Sequence, residues 1–172
     1  MTWLAEPGQV DNVLKDRWSL VEKSEQVVDV DSDLANAVPA GSDWATDLIG
    51  AEGPNYKELT YTSGWRTSSA GDATTTVTMR VFWLYGAKYR GGGAYIPTAW
   101  VQATAIEPAL ENNVDISVSV GQPTNAGTET APIAVLPLSI AIREDPMVPG
   151  CETHQTYSVV LYGTGQGYIH EG

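Results

Sequence analysis

Thr74-Thr75-Thr76-Val77-Thr78-Met79-Arg80-Val81-Phe82-Trp83-Leu84-Tyr85 is the stretch whose reading decides the fold. Thr75, Val77, Met79, Val81, Trp83 and Tyr85 fall on one parity, with Thr74, Thr76, Thr78 and Arg80 on the other. A period of two, rich in β-branched and aromatic residues, is the signature of a strand. Working outward, Arg90-Gly91-Gly92-Gly93 marks a turn, and Tyr95 to Ile106 reads as the next strand. Pro97 places the start of that strand near an edge or a bulge. Val114, Ile116, Val118 and Val120 alternate with Asp115, Ser117 and Ser119, as in a half-buried antiparallel strand with one wet face. Ile133 to Ile142 is apolar on both parities and reads as central, although Pro137 demands a bulge or an edge there. Tyr157 to Tyr162 is the last expected strand, ahead of a glycine-rich tail.

Five or six strands with short connections and no helical period between them exclude a parallel βαβ sheet in this part. The expected fold is mainly β: an antiparallel β-sandwich or partly open barrel. A single domain over 1–172 is expected, since 172 residues can enclose a full hydrophobic core. Its core is 56–172, and an acidic helix/loop section, 1–55, packs on it or extends from it. In that section Val10, Val13, Leu14, Trp18 and Val21 recur at three- and four-residue spacing. This spacing predicts a short amphipathic helix over about 10–23. A strand from Trp18 to Val30 is the rival, interrupted by Glu22, Ser24 and Gln26. Residues 31–56, rich in Asp, Gly, Pro, Asn and Ser, read as a long irregular connection with one helical turn near Trp44 to Ile49.

The net charge of -12 makes nucleic acid and anionic membrane surfaces poor partners. Residues 1–60 carry twelve acidic and four basic side chains, a net of -8. The default reading of that charge is a solvated surface. Cys151 is the sole cysteine, so no intrachain disulfide forms, which is compatible with a cytoplasmic origin or a particle component. The N-terminal residues lack the pattern of a signal peptide, and no apolar run reaches the length of a membrane span.

Conventional catalytic sets fare poorly. His154 and His170 are the two histidines, and a Cys151–His154 dyad lacks an identifiable orienting group. Cys151 and His154 also fall short of a zinc set. Asp29, Asp31 and Asp33 match the start of a calcium loop, making them a calcium candidate. Leu34 and Ala40 then stand where an EF-hand needs Gly and Glu. Gly91 to Gly93 and Gly163 to Gly167 lack the Lys-Ser/Thr of a phosphate loop and read as turns. Glu107 with Glu111, or Glu144 with Asp145, are local acid pairs rather than carboxyls facing each other across a cleft. No enzyme activity and no cofactor are therefore expected.

The informative cluster is aromatic. The chain has six Trp and eight Tyr but one Phe. Trp83, Tyr85, Tyr89, Arg90, Tyr95 and Trp100 flank one glycine-rich turn, with Trp65 and Arg66 in an earlier loop. Trp83, Tyr85 and Trp100 are expected in the core. Tyr89, Arg90, Tyr95, Trp65 and Arg66 are the expected binding residues, since Tyr, Trp and Arg dominate contact hot spots. The first functional reading is a recognition module that binds a carbohydrate or a protein surface through aromatic loops. The second is a structural subunit of a homo-oligomeric particle or fibre. The third is a β-rich, cytolysin-like toxin whose rings meet a lipid interface.

Overall fold

The structure is a computed structural model that describes residues 16–20, 35–43, 45–67, 71–107, 112–146 and 152–172. Two antiparallel sheets face each other. The first contains β1 (Asp16–Leu20), β8 (Asn112–Val120), β10 (Ala134–Pro146), β11 (Thr153–Tyr162) and β12 (Gly167–Glu171), side by side in that order. β9 (Thr124–Asn125) joins one end of β10. The second sheet runs β3 (Leu48–Ile49), β6 (Ala87–Tyr89), β7 (Gly92–Glu107), β5 (Gly71–Tyr85), β4 (Glu52–Thr67), and β2 (Ala35–Ala37) also pairs with β7. The fold is a β-sandwich, as the alternation in the sequence predicts.

The core forms where the apolar parities of the two sheets meet. Val77, Met79, Val81 and Trp83 of β5 are buried with Leu59 and Tyr61 of β4 and Ala99 and Val101 of β7. From the other sheet come Val114, Ile116 and Val118 of β8, Leu136 to Ile142 on alternate positions of β10, and Tyr157, Val159 and Leu161 of β11. Trp83 is fully buried, and Gly167 makes room for it: a Cβ there would lie 2.7 Å from the indole.

Both prolines behave as their chemistry requires. The pairing of β2 with β7 shifts register across Pro97, with Ala35 opposite Ala99 and Ala37 opposite Ile96. Pro137 sits where β10 passes from β8 to β9 as its neighbour, so its missing N–H breaks no ladder. Its carbonyl accepts from the Gly121 amide at 2.9 Å.

Four expectations need correction. Residues 16–20 of the expected helix are a strand, with Trp18 opposite Ile116 and Leu20 opposite Val114. The open edge of β8 supplies a ladder that an isolated helix of this length cannot match. The remainder of that expected helix lies outside the described residues. Trp65 and Arg66 belong to no loop: they continue β4, opposite Ala73 and Asp72. The glycine-rich tail is a turn followed by β12, which pairs back on β11 from Tyr157–Glu171 to Leu161–Gly167. The 31–56 connection is less irregular than expected: it holds β2, β3 and the start of β4, the Asp47 amide donates to the Asp43 carbonyl at 2.8 Å in a turn, and Leu48 and Ile49 are strand rather than helical turn.

Candidate functional site

On the outward face of the second sheet, register aligns three aromatic residues. Tyr56 of β4 lies opposite Phe82 of β5, and Phe82 lies opposite Trp100 of β7. Strand pairing alone brings them together, since side chains directly opposite each other share a face and stand within contact distance. The Phe82 and Trp100 rings stack, with centroids 5.2 Å apart and planes 14° from parallel. Tyr56 and Phe82 are tilted at 44°, centroids 5.8 Å apart. Tyr56 is 51% exposed, while Phe82 and Trp100 are half-buried.

Two residues earlier on β5, Arg80 closes the row. Its guanidinium carbon lies 5.1 Å from the Tyr56 ring centre, and its Nε donates to Glu58 at 2.7 Å. The ion pair is open to solvent and adds little stability by itself. Its effect is to hold Arg80 against Tyr56, where the ring's electron-rich face attracts the cation. Beneath the row, Leu59, Met79, Val81 and Trp83 are locked in the core, so the rings stand on a rigid base.

The β6–β7 hairpin carries the residues expected to bind. Tyr89 pairs with Gly92 across a two-residue turn, Arg90-Gly91, with φ of 50° and 80°. Positive φ at both positions matches a tight primed turn whose twist fits the flanking strands. Arg90 is exposed and its guanidinium lies 5.0 Å from the Tyr89 ring centre, while Tyr89 is half-buried. Tyr95 is 2% exposed and presents no contact surface, which corrects the expectation that it lies at the surface. Its ring packs over Gly93, where a Cβ would collide with it. Burial, together with the neighbouring Tyr89, raises the Tyr95 phenol above its ordinary pKa. The glycine run thus makes a turn and a floor for a buried ring. Trp100 also departs from its expected core position: Ala99 and Val101 face inward, so Trp100 faces out.

A second cluster is buried. Glu144 of β10 is fully enclosed, and four hydroxyls converge on its carboxylate. Ser63 and Thr75 donate to it from the opposite sheet, as does Tyr61 at 3.1 Å. Thr153 of β11 approaches at 3.4 Å and also bonds Tyr61 at 2.8 Å. Burial chiefly, with the Glu144 charge adding, raises the Tyr61 pKa, while hydrogen bonds from Thr153 and Ser63 partly offset this. Asp145 is exposed on the other side of the strand, so the adjacent acids do not form a facing pair.

The other candidates stay apart. His154 is exposed opposite Arg143, and His170 is exposed opposite Ser158. Asp29, Asp31, Asp33 and Cys151 lie outside the described residues. Among the described residues, no three His, Cys, Asp or Glu gather as metal ligands, and no helix is long and apolar enough to cross a membrane. The side chains of Trp65 and Arg66 are likewise outside the description, although their backbone is in β4.

The row Tyr56–Phe82–Trp100 escaped the sequence reading because Phe82 and Tyr56 are distant from the glycine turn and meet Trp100 only through register. Glu144 carried a legible signal: it continues the buried parity Leu136, Leu138, Ile140, Ile142. Comparison with known protein families, curated proteins and solved structures finds no match to this chain.

Proposed function

We propose that the chain is a non-enzymatic recognition module, and that it docks a protein surface through the outward face of β4, β5 and β7. The observation that carries this reading is the aromatic row Tyr56–Phe82–Trp100 with Arg80 against it, on the outward face of a rigid sheet, with Tyr56 exposed and Phe82 and Trp100 half-buried. Trp, Tyr and Arg are the residues that most often anchor protein contacts. Rigid aromatic side chains give a large contact area for little lost conformational freedom. The rings are arranged on strands rather than on loops.

A protein partner fits this geometry better than a sugar. Stacking on a pyranose uses a free ring face, and one face of Trp100 is already taken by Phe82 and one face of Tyr56 by Arg80. The net charge of -12 favours a partner with an apolar centre and a basic rim, drawn in by long-range attraction.

The test is photo-crosslinking from a benzoylphenylalanine placed at Phe82, followed by purification of the captured protein and titration against it. Trp100→Ala is expected to weaken that complex by about 2 kcal/mol or more, roughly thirtyfold in Kd. Equal affinity of wild type and Trp100→Ala would overturn the proposal. Binding on a glycan array that is lost in Trp100→Ala would replace the protein partner with a carbohydrate.

A further inference from the structure

We infer that β4 pairs edge to edge with β4 of a second copy, in the register that sets Thr60 opposite Thr60. β4 is the outermost strand of its sheet, and among the described residues its only strand partner is β5. It is 16 residues long, whereas β12, at one edge of the first sheet, has 5. A long unpaired edge is a template for another strand, and proteins blunt such edges with charges, prolines and bulges. β4 has these devices at its two ends: a register shift between Glu52 and Asn55, then Pro54, Lys57 and Glu58 at the start, and Arg66 near the finish. The stretch between, Leu59-Thr60-Tyr61-Thr62-Ser63-Gly64-Trp65, has no charge and no proline. Seven such residues with high β propensity pair avidly unless something covers them.

The residues of this stretch complement themselves. In an antiparallel pair about a two-fold axis through Thr60, Tyr56 falls opposite Gly64 of the second copy, and Gly64 opposite its Tyr56. No other symmetric register achieves this. Gly64 has open space where a Cβ would be, and Tyr56 is 51% exposed on the same face. An aromatic ring laid over a strand glycine is a recurrent stabilising device. Glu58 then meets Thr62 and Thr60 meets Thr60, so no like charges oppose each other on the outer face. On the inner parity Leu59 meets Tyr61. Parity is kept throughout, so the two sheets join with the same face outward and the two cores remain covered.

Each copy carries a net charge of -12, which opposes association at long range. Dimerisation therefore tightens as salt is raised. Tyr56 belongs both to this seam and to the row assigned to recognition, but the pairing does not rest on that role, and Trp100 lies two strands from this edge.

Sedimentation velocity on the full chain, across a concentration series, tests the pairing. Wild type is expected to be a dimer. Thr60 is exposed, so Thr60→Lys and Thr60→Glu are tolerated by the fold, and each places like charges face to face across the axis. Both variants are expected to be monomers, and an equimolar mixture of the two is expected to restore the dimer. A monomeric wild type at every concentration, a dimeric Thr60→Lys, or a mixture that stays monomeric would each overturn the inference. Unchanged tryptophan fluorescence in the variants confirms that the fold is retained.

Discussion

The Tyr61 hydroxyl donates to the Glu144 carboxylate at 3.1 Å, joining a strand of one sheet to a strand of the other through the core. Ser63 and Thr75 make the same crossing. Sheets in a sandwich normally meet through non-directional apolar contact, so this cluster fixes their relative position in a way that Leu and Val cannot. Glu144→Ala strands these hydroxyls in the core and opens a cavity. It is expected to cost about 3 kcal/mol or more, since each unsatisfied buried group carries its own penalty. Glu144→Gln keeps the shape and one acceptor and should lose less. Urea unfolding of the variants measures the difference, and a Glu144→Ala protein as stable as wild type would show the cluster to be unimportant.

Alkaline pH should loosen the fold. Burial raises the pKa of Tyr61, Tyr95 and Tyr157 in the folded chain, with Glu144, Tyr89 and Glu171 respectively adding repulsion. An unfolded tyrosine titrates near about 10. Above that pH the unfolded chain releases protons that the native state retains, so stability falls as pH rises. The contribution is fully present below about pH 10 and is lost as pH climbs through the raised folded values. Denaturant midpoints measured from neutral to alkaline pH should show this decline. Tyr157→Phe should make it shallower. A midpoint that does not move across this range would contradict the assignment.

The strands that alternate cleanly were legible in the sequence, and the reasons others were not are local. β5 and β8 alternate without interruption from Val77 and Val114 onward. β4 does so only from Leu59: among its described side chains the buried ones are Leu59, Tyr61 and Ser63, after an exposed start that contains Gly53 and Pro54. β1 is five residues long and shares Trp18 with a helical spacing, so tertiary pairing with β8 decides it. β12 was hidden by the glycines, which are required there by Trp83 and Tyr85. The aromatic row depends on register between three strands, and register is set by long-range pairing that no local window contains.

Gly163 marks a junction that admits no side chain. Its amide donates to the Ala134 carbonyl at 2.8 Å, and its own carbonyl accepts from the Gly86 amide at 2.8 Å. A Cβ there would fall on the Ala94 carbonyl, a backbone atom that cannot swing aside. The three contacts tie the end of β11 to β10, to the β5–β6 connection and to β7, the place where the two sheets approach. Gly163→Ala is expected to destabilise by about 2 kcal/mol, within the range for overpacked sites. For a chain of this size the loss corresponds to a fall in Tm of about 4–8 °C. Gly92→Ala is the control, since a Cβ at that position meets no neighbouring atom. Equal thermal stability of the two variants would show that the junction yields.

The β6–β7 hairpin separates two roles that the sequence had joined. Tyr95 is buried and packed over Gly93, while Arg90 projects from a turn at φ of 50°. Removing the Tyr95 ring therefore costs folding stability: Tyr95→Ala is expected to lose about 3 kcal/mol through the cavity it leaves. Arg90 has the opposite sign. A non-glycine residue at positive φ is strained by about 1 kcal/mol, and asparagine tolerates that conformation better. Arg90→Asn gives up the cation–π contact with Tyr89, worth about 0.5 kcal/mol at an exposed site. The net effect is stability unchanged or raised by about 0.5 kcal/mol. If Arg90 also contributes to the contact surface, Arg90→Asn weakens partner binding while the fold is as stable as before. Parallel urea melts and binding titrations on Tyr95→Ala and Arg90→Asn separate these effects. A destabilised Arg90→Asn protein would show that the turn is relaxed with arginine, and a fully stable Tyr95→Ala protein would show that the ring is not part of the core.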